Sequence, residues 1–152
     1  MRLTVILLGS IVTLSGFAND GHINLKTNEM TENECGACHF AYPAAMLPNT
    51  SWRKIMETLE NHFGEDASLD TQTMQAITKY LVANAGDTKQ WSEQFVRGLD
   101  KQNPPIRITE TKYWTRKHPA ISKENLPSGL AGLKSKCTVC HLSAEKGDYV
   151  KN

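Results

Sequence analysis

No dense run of lysine or arginine occurs anywhere in the sequence, which removes the electrostatic footprint expected of a nucleic-acid-binding protein. Basic and acidic residues nearly cancel, 17 against 16. No segment shows the apolar/polar alternation of a half-buried strand, so a sheet-based architecture is not expected. The longest apolar run, Leu3 to Leu14, is shorter than the roughly 20 residues that a transmembrane helix needs. Hydrophobic residues make up 39% of the 152, low for a chain that must fill its own interior. Something besides side chains is expected to complete the core.

What the N-terminus does contain is Arg2, then the apolar run, then small residues ending Gly16-Phe17-Ala18. That is the pattern of a secretory signal peptide over residues 1–18, with cleavage after Ala18 and no stable membrane span afterwards. A periplasmic location is expected. Export would place all four cysteines, Cys35, Cys38, Cys137 and Cys140, in an oxidising compartment where unprotected thiols tend to pair. Yet each pair is separated by only two residues, a spacing typical of redox or metal motifs rather than of long-range staples.

The expected organisation is mostly α. Residues 20–34 read as a polar leading loop. Thr50 or Ser51 can cap a helix with Trp52, Ile55, Met56, Leu59 and Phe63 along one side, stopped by Gly64. Ser68 or Asp70 opens a second helix with Met74, Ile77, Tyr80 and Leu81 as its buried stripe, ended by Gly86. A shorter helix is expected over 89–99. Gln102-Asn103-Pro104-Pro105 is the strongest punctuation after the signal. Beyond it Thr109 can cap a helix running to Lys117, ended at His118 by Pro119. A Pro127/Gly129/Gly132 segment then leads to the second cysteine pair. Residues 19–86 hold nine acids and four bases, residues 87–152 seven acids and twelve bases, so the halves carry about −5 and +5. The expected division is an N-terminal unit at 19–86, a helix and linker at 87–105, and a C-terminal unit at 106–152.

Both cysteine pairs belong to the same pentapeptide, Cys-x-x-Cys-His, at 35–39 and 137–141. This is the attachment sequence for c-type haem. Two intervening residues let the sulfurs span the porphyrin edge as thioethers, and the adjacent histidine sits beneath the ring as proximal iron ligand. Three other readings are weaker. A thioredoxin-like redox pair needs a long helix after the motif, which Pro43 and Pro48 interrupt. Adjacent Cys-His pairs are not the usual zinc spacing, and disulfides leave the histidines unexplained. Two covalently bound haem c groups are therefore expected, and their apolar surface answers the shortage of core.

His39 and His141 are then the proximal ligands. The sixth position separates electron carriers, whose iron is six-coordinate, from gas-binding or peroxide-handling proteins. Of five histidines, His22, His62 and His118 remain. His22 lies close to the expected cleavage point and is read as exposed. His62 closes the Trp52 helix, and His118 follows Trp114 by one turn on the same face, so Trp114 would cover a ring whose iron His118 ligates. Met46, Met56 and Met74 are rival ligands for the first haem, although each also suits pocket packing; no methionine follows Met74. Ligation by His62 and His118 is favoured.

With these residues in place the chain resembles the small dihaem cytochrome c family, periplasmic carriers that partner an oxygen-binding monohaem cytochrome. The resemblance rests on "ECGACHFAYPAAMLPNTSWRKIM", "HFGEDASLD", "ITETKYWTRKH" and "KCTVCH". It implies an N-terminal haem domain similar to class I cytochrome c, a less regular C-terminal haem domain with few helices, and bis-histidine ligation at both irons. Carried onto this chain, that pairs His39 with His62 and His141 with His118.

The expected function is electron shuttling through two low-spin haems, with no substrate bond made or broken. Candidate partners are redox proteins, such as an oxygen-binding monohaem cytochrome or a membrane quinol-linked cytochrome. The alternative is a small haem peroxidase, terminal reductase or gas-binding protein with one exchangeable distal ligand. It needs a distal acid or base, and the sequence identifies none.

Overall fold

The computed structural model describes residues 25–122 and 134–149. The signal segment, His22 and the Pro127/Gly129/Gly132 stretch lie outside the described residues. Within them the chain is helical, with no strand and a single isolated bridge between His62 and Glu65.

The first helix, α1, spans Glu29–Cys35 and was not expected. Its sequence, EMTENEC, has no apolar stripe. It forms because Asn28 accepts the Thr31 backbone N–H at 3.1 Å, Glu29 and Glu32 complement the positive end of the helix, and Thr31 is buried beneath it. The helix delivers Cys35 from its last turn. Its C-cap is Gly36, the residue between Cys35 and Ala37 of the first attachment motif.

Helix α2 covers Asn49–Glu57 and α3 covers Thr71–Ala83. They pack on each other through Trp52, Ile55, Met56, Ile77 and Leu81, with Ala44, Leu47 and Ala85 completing the buried cluster. Neither Thr50 nor Ser51 caps α2: Pro48 is the N-cap, and the buried Ser51 hydroxyl donates to the Pro105 carbonyl at 2.8 Å, fastening the proline linker to the helix. The Trp52 indole N–H donates to the Ala44 carbonyl at 2.7 Å, which satisfies the one polar atom of that buried ring. Of the two caps expected for α3, Asp70 is the one used, accepting from the amides of Gln72 and Thr73.

Two expected boundaries move. α2 stops at Glu57, where the Thr58 hydroxyl turns back to the Lys54 carbonyl, and a 3-10 turn at Leu59–Asn61 follows. Phe63 therefore leaves the buried stripe and is exposed, with φ +57° before Gly64 at φ +104°. Gly86 does not stop α3, which closes at Asn84. Its role is close approach: a Cβ there would lie 2.4 Å from the Ala45 carbonyl oxygen and 2.5 Å from Val96 Cγ1.

The helix expected over 89–99 shrinks to α4, Glu93–Val96, which buries Phe95 against Leu25 and Ala45. α5 runs Lys112–Lys117 and ends where expected, with His118 as C-cap. Its start is two residues later than Thr109, because Ile108–Glu110 forms a 3-10 turn and Thr111 takes the cap. Pro119 opens a further short helix, α6, Pro119–Ser122, as a proline at a first helical position can. The second attachment motif begins in a 3-10 turn, Cys137–Val139, and a second such turn, Ala144–Lys146, follows it.

Thr111 is nearly fully buried and makes two bonds, accepting from the Trp114 amide at 3.1 Å and donating to the Ile108 carbonyl at 2.8 Å. Thr111→Ala is expected to cost about 0.5–2 kcal/mol, the usual range for a lost helix cap. Urea unfolding should show a lower midpoint with an unchanged slope. An unchanged midpoint would mean that α5 is held from elsewhere.

Candidate haem centres

The structure brings the four sequence-selected histidines together in two pairs. The rings of His39 and His62 have centroids 6.0 Å apart and planes 23° from parallel. Those of His118 and His141 are also 6.0 Å apart, with planes at 88°. Two imidazoles bonded to opposite sides of one metal at about 2 Å each put their ring centres about 6 Å apart, so both spacings suit an axial pair.

His39 leaves the first motif with its Nδ1 2.7 Å from the Phe40 carbonyl. His62 is not on α2 as expected but at the end of the 3-10 turn, where its amide bonds the Glu65 carbonyl at 2.7 Å and its carbonyl accepts from Glu65 at 3.2 Å. Burial, His39 and Arg107 together lower the His62 pKa, which favours the neutral imidazole that a metal requires. The Arg107 guanidinium lies 3.9 Å over the Phe63 ring and covers the strained turn beside His62. No sequence signal linked Arg107 to this site, since it arrives from the far side of the linker.

At the second centre His118 stacks on Trp114 at 4.7 Å and 20°, as its spacing on α5 suggested. Its Nδ1 lies 3.0 Å from the Trp114 carbonyl, which leaves Nε2 as the lone-pair donor. A histidine ligand generally has its other ring nitrogen held by a carbonyl or carboxylate, and His39 and His118 both meet that condition. His141 differs: its Nδ1 is buried with no hydrogen-bond partner among the described residues.

Several features fit haem rather than a bare ion. Among the described residues no three His, Cys, Asp or Glu side chains converge on one point, as a protein-built metal cage would require. The four cysteines form no disulfide. Cys35 and Cys137 are half-buried, and burial pushes both thiols up, while Cys38 and Cys140 are exposed. Each motif thus presents one inward and one outward sulfur. A cavity of about 830 Å³ opens between α2 and α3; it reaches Leu59 and Glu60 of the 3-10 turn before His62, and neither the first motif nor His62 lines it. Met56, Leu59, Leu69, Met74 and Val82 form its apolar floor, and Arg53, Glu57, Glu60 and Lys79 stand at its edge. Met56 and Met74 are wall residues here, and Met46 packs instead against the Phe95 cluster.

The fold and the doubled site define a c-type cytochrome with two haem groups. The model of the dihaem cytochrome c family matches residues 31–149, and the chain belongs to that family. It is similar to a solved diheme cytochrome c from Rhodobacter sphaeroides, with 45% identity over 80% of this chain and 96% of that one, and a TM-score of 0.70. A second structure from Rhodobacter sphaeroides is 42% identical over 82% of this chain and 98% of that one, with a TM-score of 0.63. A diheme cytochrome c from Shewanella baltica is 36% identical over 81% of this chain and 87% of that one, with a TM-score of 0.60. No curated protein sequence matches significantly. Membership means that the chain carries two covalently attached haem c groups.

Proposed function

We propose that the protein is a periplasmic electron carrier. In this reading Cys35 and Cys38 bond one haem, with His39 and His62 on its iron; Cys137 and Cys140 bond the other, with His118 and His141 on its iron. The observation that carries it is the pair of 6.0 Å ring separations, one at each motif. Each bound haem supplies one-electron exchange between ferric and ferrous iron. The protein's part would be to hold each iron with two histidines, His39 and His62 or His118 and His141, so that exchange needs no change of ligand. Two histidines per iron and no methionine hold the potentials low. Among the described residues no helix is long and apolar enough to cross a membrane, and the partners are taken to be other redox proteins, an oxygen-binding monohaem cytochrome or a quinol-linked membrane cytochrome among them.

Low-temperature EPR of the ferric protein tests this reading. Near-parallel imidazole planes separate the two iron d orbitals that share the electron vacancy, whereas perpendicular planes leave them nearly degenerate. The 23° and 88° angles therefore predict two distinct low-spin signals, one of ordinary rhombic form and one with a single very large g value. A substantial high-spin signal would mean an open iron. Gas binding or peroxide chemistry would then take the place of electron carriage.

A further inference from the structure

A chain of aromatic ring contacts links the two attachment motifs. Tyr42 packs on the proximal His39 with ring centroids 5.2 Å apart, and on Phe40 at 5.7 Å edge-on. Phe40 meets Tyr149 at 6.4 Å, and Tyr149 packs on the proximal His141 at 5.7 Å. Across this cluster the Tyr42 hydroxyl donates to the Ser135 carbonyl at 2.8 Å, a bond spanning 93 residues. Ser135 lies two residues before Cys137, so the bond ties the segment after His39 directly to the second motif.

We propose that Phe40, Tyr42 and Tyr149 form a latch that holds the proximal sides of the two haem sites together and thereby sets the rate at which an electron passes between the two irons. The inference rests on the electron-carrier reading above and deepens it. In the exchange one iron is oxidised from ferrous to ferric and the other reduced from ferric to ferrous, with no bond broken and no proton released. The tyrosines stay protonated, since burial pushes both phenols above their ordinary range. They are positioning residues. Tunnelling falls steeply with distance, so the contact that fixes the spacing controls the rate.

The latch is also what the second motif has in place of a core. Among residues 134–149 only Ala144 and Gly147 are buried, and the Leu25 N–H donates to the Gly147 carbonyl at 3.2 Å. The Tyr149 hydroxyl is buried with no hydrogen-bond partner among the described residues, so its ring, rather than its oxygen, makes the contact.

The test uses the haem-loaded protein. The double variant Phe40→Leu/Tyr149→Leu removes two rings, Tyr42→Phe removes only the hydrogen bond, and Tyr149→Phe keeps every ring as a control. Hydrogen exchange of peptides covering 134–149 should speed up by about tenfold in the double variant, the effect of losing aromatic contacts on a local opening. Electron equilibration between the irons after flash photoreduction should slow in the same variant, less so in Tyr42→Phe, and match the wild type in Tyr149→Phe. Equilibration within twofold of the wild type in the double variant would overturn the proposal, whether or not exchange had changed. If the double variant fails to load its second haem, Tyr42→Phe decides, because an unchanged rate there with faster exchange also overturns it. EPR of each variant separates the two levels: low-spin signals with an unaltered rate reject the latch alone, whereas high-spin iron in the wild type rejects the carrier reading.

Discussion

Replacing Cys137 and Cys140 together by alanine is expected to leave one haem on a chain that carries two, and to release the segment 134–149 while the first site stays loaded. The asymmetry follows from where the buried side chains lie. The main cluster is built wholly from residues between Ala44 and Ala85, with α2 and α3 as its walls, and includes nothing from the second motif. The segment 134–149 that carries it forms two 3-10 turns of three residues each, a geometry that is not stable by itself. Among the described residues 134–149 the only buried apolar side chain is Ala144, and an alanine contributes little by burial at about 25 cal/mol per Å². In the proposed arrangement the segment therefore takes its stability from the thioether bonds, the histidine ligands and the aromatic latch. Intact mass should fall by one haem, and brief proteolysis should cut within 134–149 while sparing α2 and α3. Loss of both haems would show instead that the second half is needed to fold the first.

How far the fold was legible depended on whether local pattern or long-range contact made each element. α3 was readable because Asp70 is a strong cap and Ile77 and Leu81 sit one turn apart. α5 was readable at its end because Pro119 cannot follow a helical residue easily, but not at its start, where two threonines competed and the buried Thr111 won. α1 was invisible, having no apolar stripe and being held by its cap and by Thr31. The continuation of α2 through Phe63 was wrong for a related reason. Apolar spacing alone extended the helix, while Thr58 and the glycine after Phe63 favoured a turn. That turn matters for the site, since it carries His62 away from the helix axis and beside His39.

The histidine pairs themselves were legible because the chain offers so few candidates. The aromatic cluster was not, although Phe40 and Tyr42 stand directly after the first motif. Nothing in sequence spacing shows that Tyr42 meets Ser135 or that Phe40 meets Tyr149 across most of the chain. Its one visible sign was the position of aromatics next to an attachment motif, which reads equally well as pocket lining.

His118→Ala is expected to change the chemistry most, turning the second iron from a carrier into a ligand-binding centre. In the proposed arrangement His118 is the sixth ligand there, held by stacking on the buried Trp114 and by its bond to the Trp114 carbonyl. Alanine removes the donor, and no methionine occurs after Met74 to take its place. The second iron should become high-spin in EPR and bind carbon monoxide on reduction, with added imidazole restoring the low-spin form. The first site should keep its signal, because His39 and His62 are on other elements. His62→Ala is the instructive comparison: the N-terminal half holds Met46, Met56 and Met74, and ligation by one of their thioethers would give low-spin iron at a raised potential. The same deletion should thus open one iron and retune the other. A His118→Ala protein that remained wholly low-spin and refused carbon monoxide would remove His118 from the coordination sphere. The 6.0 Å contact between His118 and His141 would then be packing alone.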